Sequence, residues 1–154
     1  MPNPPFFQLR RHYISQLEFS SIEEVVPDPH GVEATASIAM GPNTANPRNW
    51  RLELTVKFSV RHEQKEISKG TVVFVGIFDV SPQVPEDEMP RLVAINGASI
   101  LYGAAREMIA NISARGSNRL VTLPSISFHD AKLAQVPSAG TSHDPAKRIV
   151  TAGM

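Results

Sequence analysis

The residues of this chain best able to move protons or hold a metal are five histidines, His12, His30, His62, His129 and His143. No two of them stand four apart, as ligands on one helix face must, and none has carboxylates grouped around it at ligand spacing. His129-Asp130 and His143-Asp144 set a base beside an acid. Adjacent residues in a flexible segment cannot hold the geometry in which a carboxylate orients an imidazole. Ser99 follows Gly97 by two positions, but Leu101 stands where a nucleophile elbow needs its second glycine. Gly70, Gly76, Gly97, Gly103 and Gly116 lack the spacing of a phosphate loop or dinucleotide fingerprint. Glu86, Asp87 and Glu88 suit the start of a helix better than a metal site, and Arg10 and Arg11 make no basic patch. Asn111-Ile112-Ser113 has the form of a glycosylation sequon but falls within a helical pattern. No catalytic residue and no metal or other cofactor is therefore expected, which fits a protein that works through its surface.

Composition agrees. The 154 residues carry 15 basic and 15 acidic side chains, so no net field gathers nucleic acid or anionic lipid. The absence of cysteine removes disulfides, thiolate metal sites and thiol nucleophiles together. Met1 to Phe7 is broken by Pro2, Pro4 and Pro5 and is not expected to act as an export signal. The longest apolar stretches, Thr71 to Val80 and Ala98 to Ala105, are shorter than the roughly 20 residues a helix needs to cross a bilayer. No membrane insertion is expected.

The elements that would carry a working surface follow from periodicity. From Phe7 to Phe19 the odd positions Phe7, Leu9, Tyr13, Leu17 and Phe19 predict a strand with one buried face. Val32 to Met40 alternates likewise and stops at Gly41-Pro42-Asn43. Leu52, Leu54, Val56, Phe58 and Val60 predict a third strand, with Arg51, Glu53, Thr55 and Lys57 outward. Polar residues Arg61 to Gly70 read as a turn. Thr71 to Val80 reads as a fourth strand, apolar on both faces and so in need of cover on both. Beyond Ser81-Pro82 the period becomes helical: a short helix with Pro90 in its first turn, ending near Asn96-Gly97, then a longer one capped by Ser99 and stopped at Gly116. The longer helix sets Leu101, Ala105, Met108, Ile109 and Ile112 on one face. Leu120 to Phe128 is extended and apolar. Together these predict an α+β fold, a four-stranded antiparallel sheet followed by a short and a long helix, over residues 1–128. A polar, disordered tail is expected over 129–154.

Residues Ile100 to Phe128 resemble the SecB protein-export chaperones. The family shows an Ile-Leu-Phe/Tyr start, an Arg-Glu core, an Arg-Gly helix end and a Leu-x-Leu-x-Pro extension closing on Phe. Ile100, Leu101, Tyr102, Arg106, Glu107, Arg115, Gly116, Pro124, Ile126 and Phe128 match it here. Phe7 to Tyr13 is similar to the family's opening, and Gly76-Ile77-Phe78 fits its Gly-Ile-Phe.

The resemblance implies a cytoplasmic, ATP-independent holdase, a homotetramer built as a dimer of dimers, whose apolar grooves hold unfolded polypeptides in extended form for the Sec translocase. It makes Phe74, Ile77, Phe78, Val80, Leu123, Ile126 and Phe128 candidate groove walls. Leu101, Ala105, Met108, Ile109 and Ile112 become candidate interface residues. Acidic positions through which the family meets SecA are Gln16, Ser20 and Thr71 here, so that partnership loses its contacts. Gly103-Ala104 replaces a proline-aromatic pair, Ser127 replaces an asparagine, and the family's C-terminal helix gives way to a polar segment. Such a divergent member could instead guard an antitoxin in a toxin-antitoxin system. A non-catalytic binding or structural oligomer is the remaining alternative.

Overall fold

The computed structural model describes residues 5–26, 31–118, 120–129 and 150–152. Strands β1 (Phe7–Ser21), β2 (Val32–Pro42), β3 (Asn49–His62) and β4 (Lys65–Val80) form an antiparallel sheet. A short β5 (Val150–Ala152) extends it, giving the order β1-β4-β3-β2-β5. The expected tail from residue 129 therefore contributes a strand at 150–152, while 130–149 lie outside the described residues, as do His30 and His143.

The third strand keeps its expected register, with Leu52, Leu54 and Val56 fully buried. The turn before the fourth strand is tighter than its polarity implied. Only Glu63 and Gln64 lie between the two strands, both at positive φ (49° and 71°), and β4 already begins at Lys65. Such a two-residue turn twists in the sense the flanking strands require.

The first strand does not keep one parity. Bulges between Leu9 and Arg11 and between Ile14 and Gln16 each shift the register against β4. A bulge sets two residues against one, so the inward set changes from odd to even and back. Phe7, Leu9, Ile14 and Phe19 pack on the core, whereas Tyr13 is exposed on the opposite face with the Arg11 guanidinium 5.0 Å from its ring centre.

β4 is two-faced as expected. Val72, Phe74, Phe78 and Val80 join the core; Val73 and Val75 are buried but stand outside that cluster, flanked across the ladders by Tyr13, Glu53 and Thr55. Neighbouring strands thus supply much of the second face's cover.

The two expected helices are one. α1 (Met89–Leu92), a π-helical turn (Val93–Gly97) and α2 (Ala98–Ser113) run on as a single helix of 25 residues. Asn96-Gly97 does not end it because Val93, Gly97, Leu101, Ala105 and Ile109 form an unbroken stripe, four residues apart, that lies buried. Each large side chain in such a stripe stabilises by about 1.5–3 kcal/mol on burial, more than the ~1 kcal/mol a mid-helix glycine costs. Gly97 also packs closely: a Cβ there would meet Leu52 Cδ1 at 3.1 Å and the Phe78 ring at 3.3 Å, so those side chains would have to give by a few tenths of an ångström. Ser99 is consequently not a cap, and its hydroxyl donates back to the Ile95 carbonyl at 2.6 Å within the helix.

Two polar anchors seat the helix. Arg48 Nη1 donates to the carbonyls of Ser81 (2.6 Å) and Val84 (3.0 Å), fixing the loop that leads into it. At its end, the buried Ser113 hydroxyl donates to the Ala110 carbonyl (3.2 Å) and accepts from the Val121 N–H (2.8 Å), turning the chain into the extended segment.

Candidate functional site

Helix and extended segment cover the core face of the sheet, and this decides where the expected groove residues lie. Phe74, Phe78, Val80, Leu123 and Phe128 are core residues, none more than 4% exposed. Phe78 stacks on Phe7 with ring centres 4.8 Å apart, and Phe128 meets Tyr102 edge-on at 5.9 Å. In the folded chain these five are not surface. Alternation on the strand identified an apolar face, but the helix lying on that face takes it up. Only Ile77 and Ile126 keep partial exposure, and they stand apart. Ile77 is on the face away from the helix between Arg11 and Arg51, while Ile126 packs against the core cluster.

The expected interface residues divide the same way. Leu101, Ala105 and Ile109 are at most 1% exposed because they face the chain's own sheet. Met108 and Ile112 are half-buried, and Ile100, beyond the stripe, is 43% exposed. Of the five expected interface residues, Met108 and Ile112 are therefore the ones left accessible to a partner on α2.

An open apolar cleft lies where sequence reading did not place one. About 710 Å³ in volume, it is bounded by Phe6, Val84, Pro85, Leu92 and Ile95, with Arg91 and Glu88 among its polar borders. Phe6, 62% exposed, stands before β1; Val84 and Pro85 come from the loop held by Arg48; Leu92 and Ile95 project from the first helical turns. The signal in the sequence was Leu92 and Ile95 three apart on a helix, outside the stripe that makes the core. Such a surface can hold apolar side chains of a flexible ligand. Gln83, Asn96 and His129 complete its polar lining.

Two ionisable groups away from the cleft are held by contacts within the fold. Asp79 accepts from the Asn49 amide at 2.7 Å and pairs with Arg10, and these contacts, the asparagine's first, hold its carboxyl below the ordinary aspartate range. Burial pushes the Tyr102 phenol up, the Arg106 charge opposing it. Among the described residues there is no group of three or more histidine, aspartate or glutamate side chains placed to hold a metal, and no helix long and apolar enough to cross a membrane.

Gln16 and Ser20 are exposed on β1, and Gln16 donates to the Glu18 carboxylate at 3.0 Å. Glu18 faces Thr71 across the ladder, and Ser20 faces Lys69. Gln16, Ser20 and Thr71 thus gather around one carboxylate, on the sheet face away from the helix.

Residues 2–136 match the family model described as preprotein translocase subunit SecB. The chain belongs to the SecB family. It is 27% identical over 128 residues to the protein-export protein SecB of Acidithiobacillus ferrooxidans, in two strains, covering 79% of this chain and 84% of the relative. Its fold is similar to that of the Mycobacterium tuberculosis SecB-like chaperone solved with a ChAD peptide from the HigA1 antitoxin. That match has a TM-score of 0.63 at 17% identity and covers 79% of this chain and 91% of the other. SecB proteins are chaperones, not enzymes, and membership of the family supports a chaperone role for this chain.

Proposed function

We propose that this SecB-family protein is an ATP-independent holdase that captures unfolded polypeptides in the cytoplasm. In this reading it works as a homotetramer, a dimer of dimers, and keeps precursors competent for the Sec translocase. The observation that carries the reading is family membership over residues 2–136. The apolar cleft at Phe6, Val84, Leu92 and Ile95 supports it with an open surface that the monomer's own core does not fill. Binding would follow from burial: each anchor side chain fully removed from water contributes about 1.5–3 kcal/mol before ordering costs. No nucleotide is needed for that. Ile126, half-exposed on the extended segment, is a further groove candidate, and Met108 and Ile112 are interface candidates.

A second reading, a chaperone dedicated to an antitoxin, is favoured by one observation. The positions where the resemblance expects acids for SecA are Gln16, Ser20 and Thr71, leaving Glu18 as the carboxylate among them. The structural relative bound to an antitoxin peptide points the same way. On this reading SecA binds weakly or not at all.

Aggregation of a urea-unfolded model protein, followed by light scattering without nucleotide, tests the proposal. Suppression by a species about four times the 16.8 kDa chain mass is expected. A well-folded oligomer that suppresses neither this protein nor an antitoxin C-terminal peptide overturns both readings and leaves a non-catalytic structural oligomer. Titration of SecA then separates export from antitoxin service.

A further inference from the structure

Among the described residues β1 ends the sheet on one side, while on the other β2 is followed by the three residues of β5 alone, and the two long strands are built differently. β1 is bulged twice and carries Arg10, Arg11, His12 and Glu18, features that discourage another strand from pairing along it. β2 has neither defence. Its register against β3 runs unbroken from Val32 to Pro42, and Glu33 is its single charge. Ala34, Ala36, Ser37 and Ala39 leave its backbone flanked by small side chains. An edge of that kind is a template for strand addition.

The chain places a strand of its own there. Val150, Thr151 and Ala152 pair antiparallel with Ile38, Ser37 and Ala36. Among the described residues only these three positions are covered, and Val32–Thr35 and Ala39–Pro42 have no described strand beyond them. An occupant of three residues is near the shortest strand proteins use.

From this the geometry points to the β2 edge as an acceptor for an extended, proline-free segment of a client polypeptide, bound by main-chain hydrogen bonds as an added antiparallel strand. Residues 150–152 are the resident occupant that a client must displace. The inference rests on the chaperone reading and deepens it: the edge recognises backbone, whose hydrogen-bonding groups every unfolded chain presents, while the cleft recognises apolar side chains. A tail that fills the edge lowers apparent client affinity by the fraction of time it is seated, so weak clients are excluded.

The test compares the full chain, a chain ending at Lys147, and the full chain with V150P and T151P. Successive N–H groups point to opposite sides of a strand, so one of the two prolines removes a donor facing β2. Hydrogen exchange at residues 36–38 should quicken in both altered proteins and slow again on adding a synthetic peptide of residues 147–154. Both should bind a urea-unfolded model protein roughly three- to ten-fold more tightly, and the added peptide should reverse the gain. Unchanged exchange, or quickened exchange with unchanged capture, overturns the inference while the chaperone reading stands. A doubled mass on truncation without a gain in capture overturns it too, since the occupant is then a second copy of this chain. No capture by any form overturns the chaperone reading and this inference with it.

Discussion

The Tyr102 hydroxyl donates to the Pro124 carbonyl at 2.5 Å, joining the middle of the helix to the extended segment that returns alongside it. The same ring packs edge-on against Phe128, so one side chain fixes the segment on both sides of Ile126. If Ile126 meets a client, Tyr102 is what holds it in place.

Tyr102→Phe keeps the ring and removes the donor, leaving a part-buried carbonyl unpaired. A loss of about 0.5–1.5 kcal/mol in urea unfolding is expected. Because burial raises this phenol's pKa, the folded state holds its proton more tightly than the unfolded one. The contribution is complete below the unfolded value, about 10, and is lost as pH rises through the folded one. The substituted protein should lack that part of the alkaline decline, and an identical decline in both would assign it elsewhere.

At the acid end the sign reverses. Asn49 and Arg10 lower the Asp79 pKa, so its contribution is present above the ordinary aspartate value near 4 and disappears as pH falls through the folded one. Asp79→Asn should be less stable than the parent at pH 7, and the gap should close toward pH 2. Denaturant midpoints at the two pH values decide it.

Phe78 and Ile126 make a discriminating pair. Glutamate at Phe78, which is fully buried, strands a charge in the core, and the circular dichroism of a folded chain should be lost at 25 °C. Glutamate at Ile126 should leave the fold intact and weaken client binding by about ten-fold if the anchor is worth its burial. A folded Ile126→Glu chain that captures normally removes Ile126 from the site.

Gly103 is exposed in mid-helix, and a Cβ there would meet nothing within 4 Å. Gly103→Ala should raise stability by about 0.5–1 kcal/mol, read as a higher urea midpoint. A fall would mean that the helix surface is covered at that point in the assembled protein.

The four antiparallel strands, their order along the chain and the family were legible because alternation and the Ile100–Phe128 motif are local signals, whereas the order β1-β4-β3-β2-β5 across the sheet was not. The third strand came through intact, since Leu52, Leu54 and Val56 alternate without interruption. The bulges in β1 were not legible, because Tyr13 and Ile14 are both apolar and either could face inward. Joining of the helices was hidden by Asn96-Gly97, whose local preference to stop is outweighed by a stripe visible only once the sheet is beneath it. Five of the seven groove candidates are buried in the core for a similar reason: apolarity marks a residue as buried, but not what buries it.

The β3–β4 turn bears on the speed of assembly. Glu63 and Gln64 both take left-handed backbone, at about 1–2 kcal/mol each for side chains that lack the local bonds of asparagine or the freedom of glycine. The chain must make this turn before its longest hairpin can zip from the closed end, so the cost falls at the start of the ladder rather than being spread along it. The apolar middle, Val56 against Val72 and Leu54 against Phe74, is then the competing place for pairing to begin. In a protein proposed to hold others unfolded, the strain of the longest hairpin is thus confined to its closed end, and the apolar middle of the ladder is free of it.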